Sequence, residues 1–201
     1  MPEFTTPLAL LTLTFLAGYL LGSVPFGLVW AKLFGLGDIR AIGSGNIGAT
    51  NVLRTGNKLA ASLTLVGDIG KGAAAVLVAR FLIGEDAAQA AGLGAYLGHL
   101  FPVYIGFKGG KGVATWLGTL VALAWPVGLA CAGTWLLVAA LFRISSLAGL
   151  TAAALGPVWA LVLGRPEAVV IALLLGALIF QRHHQNIRRL LRGAEPKIGK
   201  K

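Results

Sequence analysis

VATWLGTLVALAWPVGLACAGTWLLVAALF, residues 113–142, is the stretch on which the topology of this chain turns. It holds 30 residues and no charge. A helix needs about 20 residues to cross the ~30 Å core of a bilayer at ~1.5 Å per residue, so one crossing leaves residues over and two full crossings are cramped. Trp125-Pro126 stands in the middle. Proline breaks the helical hydrogen-bond ladder and restricts the residue before it, so the stretch reads as two short helices meeting at Pro126.

Working outward, a helix is expected from Leu8 to Phe34, kinked around Gly18, Gly22, Pro25 and Gly27. Others are expected over Leu59–Ile83, Ala87–Val103, Leu147–Leu163 and Glu167–Phe180. With the two short helices this makes seven crossings and puts the termini on opposite faces. The distribution of charge supports that count. Lys32, Arg40, Arg54, Lys58, Lys108, Lys111, Arg143, Arg182, Arg188, Arg189, Arg192, Lys197, Lys200 and Lys201 then share one face. The other carries Arg80 and Arg165 with Glu3, Glu85, Asp86 and Glu167. Cytoplasmic loops of membrane proteins are enriched in Lys and Arg, so the basic face is expected in the cytoplasm and the N-terminus outside. Reading 113–142 as a single crossing would split the basic loops between faces.

Composition sets the class. The chain is 57% hydrophobic and only 12% charged, with a mean hydropathy of +0.82. Soluble domains carry about 25% charged residues. The expectation is an all-α integral membrane protein, a single transmembrane domain over residues 1–201. The apolar segments are too long and uniform for the ~10-residue alternating strands of a barrel. The N-terminus lacks the basic n-region of a cleaved signal, so the first helix reads as retained. A net charge of +10 raises nucleic acid as a partner, but membrane orientation explains the charge, and no nucleic acid is expected. Cys131 is alone in an apolar run. There is no zinc-type cluster, and neither a metal nor a cofactor is expected.

Between the apolar runs lies GSGNIGATNVLRTGNK, residues 43–58. Gly43, Gly45, Gly48 and Gly56 let the backbone bend tightly and approach a ligand closely. Ser44, Asn46, Thr50, Asn51 and Asn57 offer neutral hydrogen-bonding groups, and Arg54 and Lys58 positive charge. That mixture suits an anion, above all a phosphate. A second polar loop contains Lys108-Gly109-Gly110-Lys111-Gly112, where backbone N–H groups and an ammonium can converge on one anion. It is not the Gly-x-x-x-x-Gly-Lys-Ser/Thr loop, and a flexible basic turn explains it equally well. His99 reads as a packing residue before it reads as a catalyst. Asp68 and Lys71 share a helix face inside the membrane and read as a structural ion pair. His183 and Asn186 also share a face, where His183 could act as a general base, while His184 points elsewhere. The alternative for that segment is an amphipathic surface helix anchored by arginines. Ser145 and Ser146 either cap a helix or donate to substrate. The His-x4-Asp spacing of common acyltransferases is absent.

GSVPFG at 22–27, GSGNIGATNVLR at 43–54, GDIGKG at 67–72, GHLFPVYIGFKGGKGVAT at 98–115 and HHQNIRRLLRGAEPKIG at 183–199 together resemble the bacterial acyl-phosphate:glycerol-3-phosphate acyltransferases, over nearly the whole chain. The resemblance implies an inner-membrane enzyme with its active site facing the cytoplasm. It would move a fatty acyl group from acyl phosphate to the sn-1 hydroxyl of glycerol 3-phosphate, an early step of phospholipid synthesis. The implied catalytic residues are His183, Asn186, Lys111 and one of Ser146 and Ser145. The implied phosphate-binding residues are Ser44, Gly45, Asn46, Asn51, Arg54, Gly109, Gly110 and Gly112. Two positions depart from the family pattern: Ala194 stands where threonine is usual, and Ala148-Gly149 where a further serine is common.

The expected partners are acyl phosphate, glycerol 3-phosphate and membrane lipid; a monomer is compatible with the sequence. Acyl phosphate is already activated, so the protein's expected work is to position the hydroxyl and neutralise the leaving phosphate. The proton goes either to His183 or to that phosphate. A carrier for an organic phosphate is the competing class, disfavoured by the lack of an internal repeat and of paired intramembrane charges beyond Asp68/Lys71.

Overall fold

The structure, a computed structural model, describes residues 5–199; of the charges placed on the two faces above, Glu3, Lys200 and Lys201 lie outside them. The described residues form ten α-helices and four short 3-10 turns, with no strand among them. The first apolar run is α1 (Leu8–Gly22) and α2 (Phe26–Leu33), broken at Ser23-Val24-Pro25. Pro25 supplies no N–H and stands immediately before α2. A single turn, α3 (Ala49–Val52), lies inside the first polar loop. α4 (Lys58–Leu82) starts where the Asn57 side chain accepts from the Ala60 N–H at 2.9 Å, an N-cap. α5 (Glu85–Leu100) returns the chain to the second polar loop.

The 113–142 stretch is two helices, α6 (Val113–Leu123) and α7 (Trp125–Phe142). The break falls at Ala124, two residues earlier than the expected junction, and Pro126 sits in the first turn of α7. There its missing N–H costs no intrahelical bond. Arg80 of α4 donates to the Ala122 and Leu123 carbonyls and to Glu85, closing the end of the short α6. α8 (Ser145–Val162) begins two residues before its expected start. Its N-cap is Ile144, with no side-chain cap, so neither serine caps this helix. α9 (Val169–Arg182) and α10 (His184–Leu191) meet at a 65° bend.

Small residues decide how the helices meet. Gly18 and Gly22 of α1 lie on the backbone of Ala91 and Ala95 of α5, while Gly94 and Gly98 of α5 lie on Phe15 and Tyr19 of α1. A methyl at Gly22 would sit 2.5 Å from Ala95 Cα. Reciprocal small-x-x-x-small spacing lets two helices approach backbone to backbone, which is how apolar helices gain contact without a hydrophobic driving force. α4 packs on α6 the same way, with Gly72 on the Thr115 carbonyl and Gly118 on the Ile69 backbone, and α4 also packs along α5. α7, α8 and α9 pack in sequence around Trp116, Leu120, Cys131 and Leu175. Leu13, Leu16 and Leu20 of α1, Leu77, Val78 and Phe81 of α4, and Leu136, Leu137 and Leu141 of α7 face outward, an apolar belt suited to acyl chains.

Leu8–Leu33 taken together, α4, α7 and α8 are long and apolar enough to cross a membrane; α9 with α10 makes a fifth only as a bent pair. α5 and α6, at 16 and 11 residues, are shorter, about 24 and 16 Å. The N-terminal segment is tied to the start of α5, where Asp86 accepts from Thr5 N, Thr6 N and Thr6 Oγ1. The C-terminal segment is tied to the start of α8, where Ile198 N donates to the Arg143 carbonyl at 2.6 Å.

Candidate active site

The first polar loop is held from within. Gly43 (φ 55°) and Gly45 (φ 65°) take left-handed backbone, and Arg54 lies across Gly43, where a side chain would collide with it. Asn51 is buried: its Nδ2 donates to the Ile39 carbonyl at 2.7 Å and its Oδ1 accepts from Ser44 N at 3.1 Å. Expected as a phosphate ligand, Asn51 instead braces the loop, because both ends of its amide are used inside it. Asn46 Oδ1 accepts from Gly48 N at 2.9 Å. Thr50 and Ser145 hydroxyls meet at 3.2 Å and join the loop to α8.

The glycine loop is gripped from two sides. Gly110 N donates to the His99 carbonyl at 3.1 Å. Arg182 donates to the carbonyls of Gly109 (3.0 Å) and Gly110 (3.2 Å) and stacks on Phe101, 5.4 Å from the ring centroid. Gly112 (φ 89°) then turns the chain into α6, so the N-terminal end of that helix, with its positive dipole end, adjoins Lys111. Burial, followed by the charges of Arg189, Arg54 and Arg182, pushes the Lys111 ammonium down to about 8.

The third piece is the bend between α9 and α10. His183 is buried, and its Nδ1 lies 2.8 Å from the Ile179 carbonyl. A carbonyl only accepts, so Nδ1 carries the proton and Nε2 keeps a lone pair. Burial and then the Lys111 charge push this imidazole down to about 4, so it is neutral at pH 7. His184 lines the cleft, against the expectation that it points away, because the 65° bend rotates α10 relative to α9. α10 is more than a surface anchor: Ile187 and Leu190 pack on the core and Asn186 is buried.

Glu195 is the hub that sequence reading missed. Its carboxylate accepts from Ser146 Oγ (2.6 Å), Asn186 Nδ2 (2.5 Å) and Arg189 Nε (2.6 Å). Burial raises its affinity for a proton, but these bonds outweigh that and hold it below the usual carboxylate range. Ser146, expected to touch substrate, is thereby bound to the tail, whereas Ser145 faces the first loop. Asn186 Oδ1 is buried and finds no donor among the described residues.

These pieces enclose a cleft of about 460 Å³. Ser44, Gly45, Asn46, Gly109, Lys111 and Asn186 line it as expected from their motifs. Arg54, Gly110, Gly112, Ser145, Ser146 and His183 do not line it. Unanticipated at its wall are Arg182, His184, Arg189 and the ring of Phe101; the only sequence signal for the arginines was the basic tail. A cleft with Lys111, Arg182 and Arg189 at its wall, bordered by an apolar ring, suits an amphiphilic phosphate. Among the described residues, no three His, Cys, Asp or Glu side chains converge to hold a metal.

The family model described as glycerol-3-phosphate acyltransferase matches residues 12–193. A glycerol-3-phosphate acyltransferase of Jannaschia sp. (strain CCS1) is 66% identical over 199 residues, covering 99% of this chain and 98% of the relative. One from Cereibacter sphaeroides (strain ATCC 17025 / ATH 2.4.3) is 63% identical over 201 residues, covering 100% and 96%. Crystal structures of PlsY (YgiH), an integral membrane glycerol 3-phosphate acyltransferase, superpose well. The glycerol 3-phosphate form has a TM-score of 0.88 at 42% identity, covering 94% of this chain and 96% of that one. The lysophosphatidic acid form has a TM-score of 0.84 at 40% identity, covering 94% and 95%.

Proposed function

The chain belongs to the glycerol-3-phosphate acyltransferase family of integral membrane enzymes, and from that premise we propose that it acylates the sn-1 hydroxyl of glycerol 3-phosphate with acyl phosphate as donor. The observation that carries this reading is the convergence of three separate polar segments on one cationic cleft with an aromatic wall. Two phosphates must be held there, and Lys111, Arg182, Arg189 and the first end of α6 supply the charge. Ser44, Gly45 and Asn46 close the opposite side, with Arg54 behind them.

In this reading His183 orients rather than titrates. His183 stands behind the cleft wall; with Nδ1 bound to Ile179, its Nε2 keeps a lone pair that repels a phosphate oxygen and can only accept. Asn186 Oδ1 is a second acceptor without a donor. Of the two, Asn186 lines the cleft and is the acceptor for a glycerol 3-phosphate hydroxyl. The attacking oxygen forms its bond to the acyl carbon as the carbon–oxygen bond to phosphate breaks. The phosphate leaves with that electron pair and takes the hydroxyl proton, its second pKa being about 6 by analogy with phospho-side chains. A group pushed down to about 4 is a poor resting place for the proton at pH 7.

We place seven crossings in the membrane, with the cleft on the cytoplasmic side of an inner membrane. The support is electrostatic. At the other end Arg80 pairs with Glu85 and Arg165 with Glu167, whereas the cleft end carries the unbalanced Lys and Arg. A single-cysteine variant at Lys197 should then be shielded from an impermeant maleimide in intact cells, and one at Arg165 labelled; the reverse pattern refutes the orientation. For the reaction, purified protein with acyl phosphate and glycerol 3-phosphate should release phosphate and form 1-acyl-glycerol 3-phosphate. Turnover with acyl-CoA but none with acyl phosphate would overturn the donor.

A further inference from the structure

Asp68, Lys71 and His99 are buried to within 3–4% of full enclosure, and none of them lines the cleft. Lys71 Nζ sits 2.8 Å from Asp68 Oδ1 and donates to the Val24 carbonyl at the α1–α2 break. His99 Nδ1 lies 3.5 Å from the same Asp68 oxygen. That is long for a hydrogen bond but close enough for the carboxylate to orient the ring. The other edge of the imidazole faces the glycine loop. A methyl at Gly110 would overlap His99 Nε2 and lie 2.8 Å from Cε1. His99 therefore touches Gly110 twice, with its ring and through the carbonyl that accepts from Gly110 N. A charge pair at this depth is costly, and removing one member strands the other.

We infer that His99, its ring set by the Asp68–Lys71 pair, is the positioning residue of the Gly109–Gly110–Lys111 loop and fixes where Lys111 meets a substrate phosphate. This rests on the reading of that loop as a phosphate grip. The neighbouring glycines supply an internal control. The obstacle at Gly110 is a side chain, which a substitution removes. The obstacle at Gly109 is the His99 and Leu100 carbonyls with Pro102 Cδ at 2.5 Å, which no His99 variant removes.

The test is a double-mutant cycle read in KM for glycerol 3-phosphate and for acyl phosphate, in kcat, and in thermal unfolding in detergent. Gly110→Ala should raise at least one KM about tenfold with a smaller change in kcat. Gly110→Ala with His99→Ala should return that KM to within about threefold of His99→Ala alone. Gly109→Ala should gain nothing from His99→Ala. Asp68→Asn keeps the shape and removes the charge, and should raise the same KM with kcat largely kept. If His99→Ala does not fold, His99→Asn serves in its place. Additive effects of Gly110→Ala and His99→Ala, equal rescue of Gly109→Ala, or an unchanged KM in Asp68→Asn would overturn the positioning role. Unchanged KM values for Gly110→Ala would instead overturn the phosphate-grip reading.

Discussion

Replacing Glu195 should disturb both the fold and the reaction, because one carboxylate satisfies three donors from three segments. Its side chain is 6% exposed, and Arg189 beside it is 36% exposed. An ion pair with one partner about a third exposed is worth about 1 kcal/mol. The bonds from buried Ser146 and Asn186 are charge-assisted, about 1.5–3 kcal/mol each, with water reaching the tail favouring the lower end. Glu195→Ala should therefore cost about 4 kcal/mol. Glu195→Gln keeps an acceptor for Ser146 and Asn186, but turns an amide N–H₂ toward Arg189, and should cost about 2 kcal/mol. Thermal unfolding in detergent orders the three proteins, and kcat/KM should fall in the same order, because Asn186 loses the partner that orients its amide. The acid limb has a defined sign. The carboxylate is held below its ordinary range, so its stabilisation is present above pH 4.5 and is lost as pH falls through the folded value. Equal stability of Glu195→Gln and Glu195→Ala would refute the bond-by-bond reasoning. Higher activity in Glu195→Ala would show that the tail competes with substrate for these donors rather than arranging them.

Further predictions concern the cleft and the helix contacts. Lys111 is charged below about pH 8, so its grip is present there and lost above; KM for a phosphate substrate should climb from pH 8 to 9.5, and Lys111→Arg should move that rise to higher pH. A flat profile removes Lys111 from binding. His183 is neutral well below pH 7, so kcat should be level from pH 6 to 7.5; a limb near 6.5 would restore it as the base. Gly22→Ala forces α1 off Ala95 and should cost about 1–3 kcal/mol in thermal unfolding, whereas Gly70→Ala, facing open space on α4, should cost nothing.

The reading of 113–142 survives at the level of local chemistry. Proline and helix length are properties of the chain itself, so the two-helix break is legible, displaced by two residues because Pro126 is tolerated inside a first turn. The glycine-rich and basic loops are legible for the same reason, as is the Asp68–Lys71 pair, three residues apart on one helix. Membrane class follows from composition alone. What each polar side chain does was decided by packing. Asn46 and Asn51 look interchangeable in sequence, yet one lines the cleft and the other is consumed by Ile39 and Ser44. Ser146 meets Glu195 across 49 residues, and Arg182 meets Gly109 across 73. No local spacing encodes such pairs, because the partner arrives only when glycine contacts have brought the helices together. The bend at His183 sends one histidine inward and its neighbour to the cleft, a division set by the direction of two helices rather than by the residues themselves.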